Sequence, residues 1–270
     1  MPAPSASARW ASTCCARHWP EARARRRGAA RSRGGYPAAV TSLLLASASP
    51  ARLSTLRSAG IDPRVLVSGV DEDAALAAAT ARFGVLEPAD AVLVLAQAKA
   101  QAVADLLADD DARAAHPVDL DDLPDDVLVL GCDSLLELDG EAFGKPADAV
   151  DATARWRRMR GRSGVLHTGH WLVDARPVAD GRGTGTLGAT ASTTVHFADL
   201  SDAEIDAYVA SGEPLAVAGA FTVDGLGGPF VTAIEGDYHA VVGVSLPLLR
   251  ELLAELGVRV TDLWRPSAGG

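Results

Sequence analysis

The 270-residue chain has little lysine, few aromatic residues and few cysteines. Aromatic residues make up only 5% of it, too few for a platform that stacks nucleic-acid bases, so we expect no nucleic-acid partner. Cys14, Cys15 and Cys132 match neither a disulfide framework nor the ligand spacing of a zinc site. This cysteine usage is typical of a reducing compartment, and we expect a cytoplasmic protein.

The sequence also lacks an uninterrupted apolar run of about 20 residues, which predicts no membrane partner. Its 48% hydrophobic content is nevertheless enough for a substantial core. Residues 1–41 carry eight arginines, one acidic residue and no hydrophobic periodicity, which predicts a disordered extension. A transit peptide is an alternative interpretation of this segment. We therefore place the folded domain at residues 42–265 and a flexible tail at 266–270.

Short apolar segments alternate with amphipathic ones along the folded part, which predicts an α/β fold with a mixed sheet. The acidic residues 109–126 and the glycine-rich residues 181–188 are interpreted as loops. We expect strands near 43–45, 63–70, 127–133, 167–173, 190–197 and 229–234, and helices near 50–59, 87–107, 148–160, 201–210 and 246–256.

A serine-rich turn follows the first predicted strand. Ser49 is a suitable helix N-cap and Pro50 a suitable first helical residue, so free backbone N–H groups and the positive end of the helix dipole would converge there. Such a point binds anions, most naturally phosphate. The hydroxyls of Ser47 and Ser49 and the guanidinium of Arg52 would complete the site. An ordinary, well-capped connection between strand and helix is the alternative.

Two carboxylates are expected at strand ends. Asp133 ends the apolar run 127–133, which is typical of a strand buried on both faces, and Glu72 is expected just beyond the second strand. Strand ends are where ligands bind in α/β sheets. Two facing carboxylates can hold a divalent cation, or one can act as a base toward water. Glu72 could equally be a solvated loop acid.

Lysine is rare enough that its positions are informative. Of 25 basic residues only Lys99 and Lys145 are lysine, and an arginine cannot replace a compact, rotatable ammonium. Lys99 lies on the helix predicted near 87–107, and Lys145 lies in a Gly-Lys-Pro turn, where an ordinary surface lysine is the alternative. Cations, a phosphate turn and paired carboxylates together favour phosphoryl chemistry on a polyphosphate.

Other reactive side chains receive a structural interpretation. Cys132 is expected in a buried strand, where a thiol is inert. His167 and His170 would lie on opposite faces of one strand, which argues against a shared metal. The arginines between Arg155 and Arg162 are typical of a solvated helix face, which could rim a phosphate cleft.

An ordered set of motifs carries a family resemblance over about residues 42–256. Together these motifs resemble the Maf family of nucleoside triphosphate pyrophosphatases, in its actinobacterial form. The resemblance implies a two-lobed α/β fold with a long central mixed sheet and a nucleotide cleft, related to the inosine triphosphate pyrophosphatases. The motifs are Ala46-Ser47-Ala48-Ser49-Pro50, Val70-Asp71-Glu72, Cys132-Asp133-Ser134, Gly144-Lys145-Pro146, Ser211-Gly212-Glu213-Pro214 and Glu235-Gly236-Asp237-Tyr238.

The resemblance also implies an activity. It is the hydrolysis of a nucleoside triphosphate to the monophosphate and pyrophosphate with Mg²⁺ or Mn²⁺, which clears noncanonical or excess nucleotides. Asp133 would be the proton acceptor, Glu72 and Asp133 would hold the metal, and Lys145 would complete the catalytic set. A homodimer is a family-level expectation. The expected substrate-binding residues are Ser47, Ser49, Arg52, Lys99, Ser134 and Asp224.

Two other functions stay open. One is a nucleotide-binding regulator of cell division and septum formation with little or no turnover. The other is a phosphatase that removes the terminal phosphate and releases orthophosphate instead of pyrophosphate.

Three positions depart from the specificity branches of the family. The pyrimidine-selective branch usually carries arginine, threonine and glutamine where this chain has Ala51, Ser134 and Asp224, and the 7-methylguanosine-selective branch has tryptophan at the first position. Asp224, which only accepts hydrogen bonds, would favour a base edge that presents N–H donors. We therefore predict a base preference that differs from both branches.

Overall fold

A seven-stranded mixed sheet is the centre of the molecule. The computed structural model describes residues 41–118, 120, 122–124, 126–176 and 185–264. The predicted extension, except for residue 41, the predicted tail and half of the glycine-rich loop lie outside these residues. In the sheet the strand order is β2-β1-β3-β5-β6-β7, and β4 pairs with β3. The strands are β1 (Ser42–Leu45), β2 (Arg64–Val65), β3 (Val127–Leu138), β4 (Glu141–Phe143), β5 (Ser163–Asp174), β6 (Thr186–Phe197) and β7 (Val231–Glu235).

The sheet is parallel at one edge and antiparallel elsewhere. β1 runs parallel to β2 and β3, whereas β3, β5, β6 and β7 pair antiparallel in sequence. The turn between β3 and β4 uses positive φ at Asp139 and Gly140, the geometry of a two-residue hairpin turn that Asp-Gly favours. The predicted α/β class with a mixed sheet is confirmed.

Most helices begin at capping side chains that are visible in the sequence. Ser49, Asp148, Ser201 and Ser245 each accept a backbone N–H at a helix start, and Ser201 with Glu204 forms a capping box. The α-helices of the described residues are α1 (Pro50–Ser58), α2 (Glu72–Phe83), α3 (Pro88–Ala108), α4 (Asp110–Ala115), α5 (Ala149–Met159), α6 (Asp202–Ala210), α7 (Tyr238–Val242) and α8 (Leu246–Glu255). Short 3-10 turns occupy Glu213–Ala216, Ala218–Ala220, Gly228–Phe230 and Val260–Leu263.

Three twelve-residue strands, β3, β5 and β6, run through two halves of the hydrophobic core. The first half of β3 packs on both faces: Leu128 and Leu130 belong to one cluster, with side chains of α1 and α8, and Val127 and Val129 to another, with side chains of α3. The second half packs Leu136 and Leu138 against α5 and α6. The core therefore has two lobes joined by continuous strands.

Buried polar side chains mark the junction between the two lobes. Asp133 on β3 and Thr168 and His170 on β5 are all buried, and each lies between the apolar stretches of its strand. Burying polar groups is costly unless they are hydrogen-bonded. Their position in the middle of long strands therefore indicates a function at this junction.

Several predicted elements differ from the structure. Glu72 does not follow the second strand directly: β2 ends at Val65, and Glu72 is the first residue of a helix capped by Asp71, which the sequence analysis missed. The acidic segment 109–126, interpreted as a loop, contains the short helix α4. β5 and β6 extend further than predicted, because pairing continues where the hydrophobic alternation fades.

Helix α3 is long and apolar enough to cross a membrane by length and composition alone. In the fold it packs along β3 and β5, and its residues Val92, Ala96 and Ala100 are fully buried. It is therefore the core helix of this sheet.

Candidate active site

One edge of β3 is open between two partner strands. β1 pairs with residues 127–130 of β3 and β4 pairs with residues 136–138, while β5 occupies the other edge along 128–137. Among the described residues no strand pairs with positions 131–135 on the edge shared by β1 and β4. We call positions 131–135 of β3 the open edge, and Asp133 and Ser134 lie on it.

A lysine joins two carboxylates at the open edge. Lys99 Nζ lies 2.6 Å from Asp133 Oδ1 and 2.7 Å from Glu72 Oε1. The Lys99 and Asp133 side chains are only 12% and 11% exposed, whereas that of Glu72 is 52% exposed. Three predicted site residues from β3, α2 and α3 thus form one cluster that is open to solvent on the Glu72 side.

Two glycines let α3 approach the sheet closely enough for this contact. A Cβ on Gly131 would overlap the carbonyl oxygen of Ala96, and a Cβ on Gly169 would overlap that of Val92. The two glycines lie on neighbouring strands, under successive turns of α3. Because neither glycine has a side chain, α3 lies close enough to the sheet for Lys99 to contact Asp133.

Burial raises the pKa of Asp133 above the usual value for a carboxyl group. Lys99 and Arg52 act in the opposite direction by charge, and Lys99 also by its hydrogen bond, but burial outweighs them. A carboxylate with a raised pKa is a better proton acceptor than an ordinary aspartate, since its basicity is closer to the working pH.

The Ser47–Arg52 turn is fixed by the buried guanidinium of Arg52. Arg52 donates to Ser47 Oγ at 3.0 Å, to the backbone oxygen of Cys132 at 2.9 Å and to Ser134 Oγ at 3.0 Å. Its Nε donates to the backbone oxygen of Gly243 at 2.8 Å. All four acceptors are neutral, so no carboxylate among the described residues compensates the charge of Arg52 by direct contact.

The predicted N-cap of α1 is confirmed. Ser49 Oγ accepts the backbone N–H of Arg52, and the backbone N–H of Ser49 donates to Ser47 Oγ. The helix N-terminus, two hydroxyls and the buried Arg52 charge therefore meet beyond the end of β1. This arrangement is suited to an anion.

A second layer of hydrogen bonds supports the open edge from β5. Ser134 Oγ is 2.9 Å from Thr168 Oγ1, which donates to the backbone oxygen of Ala240. His170 Nδ1 lies 3.0 Å from the backbone oxygen of Thr168, and His170 Nε2 accepts the backbone N–H of Ser245. These roles were not predicted from the sequence. The pairing of Thr168 with Ser134 depends on strand register, which no local motif reveals.

Lys145 and Asp224 lie apart from the Lys99 cluster. Lys145 is exposed on the loop after β4, and that loop borders the open edge, because Gly144 lies against Leu135. Asp224 is exposed on a loop held by Glu213, whose carboxylate accepts the backbone N–H groups of Leu226 and Gly227. Neither residue contacts Asp133 in the structure.

The donor set at the open edge fits a divalent cation only in part. The described residues contain no group of three or more histidine, cysteine or acidic side chains placed to hold a metal. Glu72 and Asp133 provide two carboxylates that share one ammonium. Mg²⁺ in nucleotide enzymes is typically held by one or two carboxylates, with phosphates and water completing its shell.

The structure confirms the structural interpretation of Cys132 and of the two histidines, but the solvated helix face predicted for the arginines does not hold for Arg155, whose side chain is only 13% exposed. Cys132 is fully buried, and burial raises its pKa to about 11, so its thiol is not a nucleophile at neutral pH. His167 contacts Glu137 and Ser192, whereas His170 lies in the separate network of Ser245. The arginines of α5 and the residues after it pair with acids: Arg155 with Asp151, Arg157 and Arg160 with Asp202, Arg158 with Glu141, and Arg162 with Asp139.

Comparison with known proteins points to one family. The family model described as Maf-like protein matches residues 42–256. A protein of Salinispora tropica named nucleoside triphosphate pyrophosphatase is 58% identical over 82% of this chain and 87% of its own length. Proteins of the same name from Streptomyces coelicolor and Mycobacterium marinum are 53% and 48% identical, each over 83% of this chain and over 95% and 97% of their own lengths.

Proposed function

Because this chain belongs to the Maf-like protein family, we propose that it hydrolyses nucleoside triphosphates to the nucleoside monophosphate and pyrophosphate. The observation that carries the proposal is the Lys99 ammonium held between Asp133 and Glu72 at the open edge. It lies beside the Ser47–Arg52 turn, which we call the anion turn. The relatives that cover most of the chain bear the name of the same activity.

Asp133 is the proton acceptor in this proposal. Lys99 binds one carboxylate oxygen, Oδ1, and in this proposal the other oxygen receives the water molecule. As the water oxygen attacks the α-phosphorus, Asp133 takes its proton, the bond from the α-phosphorus to the bridging oxygen breaks, and pyrophosphate leaves. Lys99 favours the ionised form of Asp133, which is the form that can accept the proton.

The anion turn holds the negative phosphates. The hydroxyls of Ser47 and Ser49 and the N-terminus of α1 act directly, whereas Arg52 acts mainly by fixing Ser47 and Ser134, since four of its five N–H groups already contact protein acceptors. The exposed Lys145 follows β4, whereas the anion turn follows β1. Lys145 therefore reaches the phosphates from the other end of the open edge. Positioning and charge neutralisation of this kind supply most of the catalysis in phosphoryl transfer.

A divalent cation fits this arrangement when the nucleotide is bound. Glu72 and Asp133 would hold it together with phosphate oxygens, and it would neutralise the charge that develops on the leaving pyrophosphate. Glu72 is the more accessible of the two carboxylates. Because phosphate oxygens of the substrate would supply the other ligands, two carboxylates from the protein would be enough to hold the metal.

Base selection is assigned to Ala51, Ser134 and Asp224. Ser134 is fixed by Arg52 and Thr168, and Asp224 is exposed on its loop and free to accept a hydrogen bond from a base. We expect a base preference distinct from both specificity branches, and equal use of dTTP and UTP with no other substrate turned over would contradict it. A cytoplasmic location is a further proposal that rests on the cysteine usage, and a homodimer is one that rests on the family.

The experiment is a product assay on a panel of nucleoside triphosphates with Mg²⁺ or Mn²⁺, run on the parent protein and on Asp133→Asn. Asparagine keeps the size but cannot accept the proton, so we expect kcat to fall by about 100-fold or more. Asp139→Asn is the matched control, since it follows the same strand in an exposed turn where asparagine is tolerated.

The product and the variants separate the alternatives. Pyrophosphate release supports this proposal, whereas orthophosphate release identifies a terminal phosphatase. Nucleotide binding without turnover in both proteins identifies a regulator. Full activity of Asp133→Asn would remove Asp133 from the mechanism.

A further inference from the structure

The loop that carries Lys145 is held by two side chains of α5. Arg155 donates to the backbone oxygen of Gly144 at 2.7 Å and to that of Lys145 at 3.4 Å. The Gly144 oxygen also accepts the backbone N–H of Gly219. Arg155 therefore fixes the peptide groups on both sides of the Lys145 α-carbon.

Asp151 completes the attachment from the same face of α5. Its carboxylate accepts from Arg155 Nε at 3.0 Å and from the second arginine nitrogen at 2.6 Å, and it also accepts the backbone N–H of Ala147 at 2.9 Å. The Arg155–Asp151 ion pair thus binds two carbonyl groups and one N–H of the loop. These three bonds together span residues 144–147. A bidentate arginine–carboxylate pair is planar and rigid, so it fixes geometry as well as adding energy.

Arg155 differs in its surroundings from the other arginines of its helix. Its side chain is only 13% exposed and its guanidinium lies 5.1 Å from the centre of the Phe143 ring. Arg158 lies 4.9 Å from the same ring and pairs with Glu141, but it is 42% exposed and no hydrogen bond joins it to the loop. The bonds to the loop carbonyls are thus specific to Arg155.

We propose that Arg155, together with Asp151, is a positioning residue that fixes the backbone of residues 144–147 so that Lys145 reaches the phosphates at the open edge. This proposal rests on the proposed function, in which Lys145 binds those phosphates. An exposed lysine on an unsupported loop would lose conformational freedom on binding, and a fixed backbone reduces that cost.

The test is a double-mutant cycle on pyrophosphate release with Arg155→Met and Lys145→Met. If Arg155 acts through Lys145, Arg155→Met lowers kcat/KM about 10-fold in the parent protein and less than about 2-fold when Lys145 is already methionine. Equal losses in both backgrounds would overturn the proposal. Arg158→Met is the matched control, and we expect it to keep the parental kcat/KM. Arg155→Lys keeps the positive charge but lacks the planar, bidentate guanidinium, so we expect it to be more active than Arg155→Met and less active than the parent protein.

A second measurement does not depend on turnover. Hydrogen exchange at the backbone N–H of Ala147 reports directly on the bond to Asp151, and we expect faster exchange in Arg155→Met with parental exchange in Arg158→Met. Unchanged exchange would overturn the attachment itself. If the parent protein releases no pyrophosphate, the proposed function fails, and the exchange experiment still decides whether Arg155 fixes the loop.

Discussion

Lys99 is the residue on which the geometry of the candidate site depends. Its ammonium is nearly buried, and it contacts two carboxylates that come from different elements. Removing one partner from a buried ion pair leaves an uncompensated charge, which costs more than the pair contributes when intact. Lys99 therefore controls the ionisation of Asp133 as well as its position.

Replacing Lys99 by methionine tests this control. The variant removes a positive charge that lowers the pKa of Asp133, so burial then raises that pKa further. Asp133 must be ionised to accept a proton. As the pH falls, the variant therefore loses activity at a higher pH than the parent protein does. We expect the acid limb of the kcat/KM profile to move up by about one pH unit.

Lys145→Met is the control for the pH profile. Lys145 makes no contact with Asp133 in the structure, so its loss lowers activity without moving the acid limb. An unchanged acid limb in Lys99→Met would show that Asp133 is not the group whose ionisation limits the reaction.

The sequence identified individual site residues better than their partners. The rarity of lysine indicated Lys99 and Lys145, and the apolar strand before Asp133 indicated that carboxylate. The bridge from Lys99 to Glu72 was not predicted, because helix α2 was missed and its first residue was assigned to a strand end. Three of the four acceptors of Arg52 are also nonlocal, since they lie 80 or more positions away in the chain.

At the scale of elements, the contact of α3 with the sheet positions the site. Gly131 and Gly169 leave space for the backbone of α3, and the contact brings Lys99 above Asp133. A helix that lies this close to a sheet tolerates no added Cβ at the contact, because both surfaces are backbone.

Gly131→Ala is expected to separate α3 from β3. The new Cβ would overlap the carbonyl oxygen of Ala96 and crowd Ala100. Overpacking of this kind costs about 1–3 kcal/mol in the free energy of unfolding, and displacement of Lys99 lowers kcat as well. Urea denaturation and the pyrophosphate assay measure the two effects.

The control for this substitution is Gly185→Ala, whose new Cβ would make only an ordinary contact with Leu256. We expect parental stability and activity for it. Parental stability of Gly131→Ala would mean that α3 can move away from the sheet without cost.

Helix starts and the buried strand were predictable from sequence, whereas strand lengths were not. Ser49, Asp148 and the pair Ser201 and Glu204 are local capping signals, and each begins a helix as expected. β5 and β6 extend through glycine and polar residues that their neighbours hold in register. Helix α2, with a single buried residue, lacks the apolar stripe that would have identified it.

At the scale of the whole molecule, buried polar groups join the two lobes and link the sheet to the segment that precedes α8. His170 is the centre of this link, since it is fully buried and bonds both Thr168 and Ser245. Accepting the N–H of Ser245 requires an unprotonated Nε2. The native fold therefore binds only the neutral form of His170.

This requirement makes the whole fold sensitive to acid. Burial, with a smaller contribution from the charge of Arg52, lowers the pKa of His170 to about 4 from the ordinary histidine value of about 6.5. The unfolded chain binds the proton more readily, so the stabilisation is complete above pH 6.5 and is lost as pH falls toward 4. From this group alone, we expect the free energy of unfolding to fall by about 2 kcal/mol between pH 7 and pH 5.

Urea unfolding of the parent protein and of His170→Gln at both pH values measures this contribution. Glutamine cannot take up the proton, so the variant is less stable than the parent at pH 7 but loses about 2 kcal/mol less on acidification. His196→Gln, at a partly exposed histidine of β6, is the control for the substitution itself. An equal loss in His170→Gln and the parent would assign the acid sensitivity to other groups and leave His170 with a packing role only.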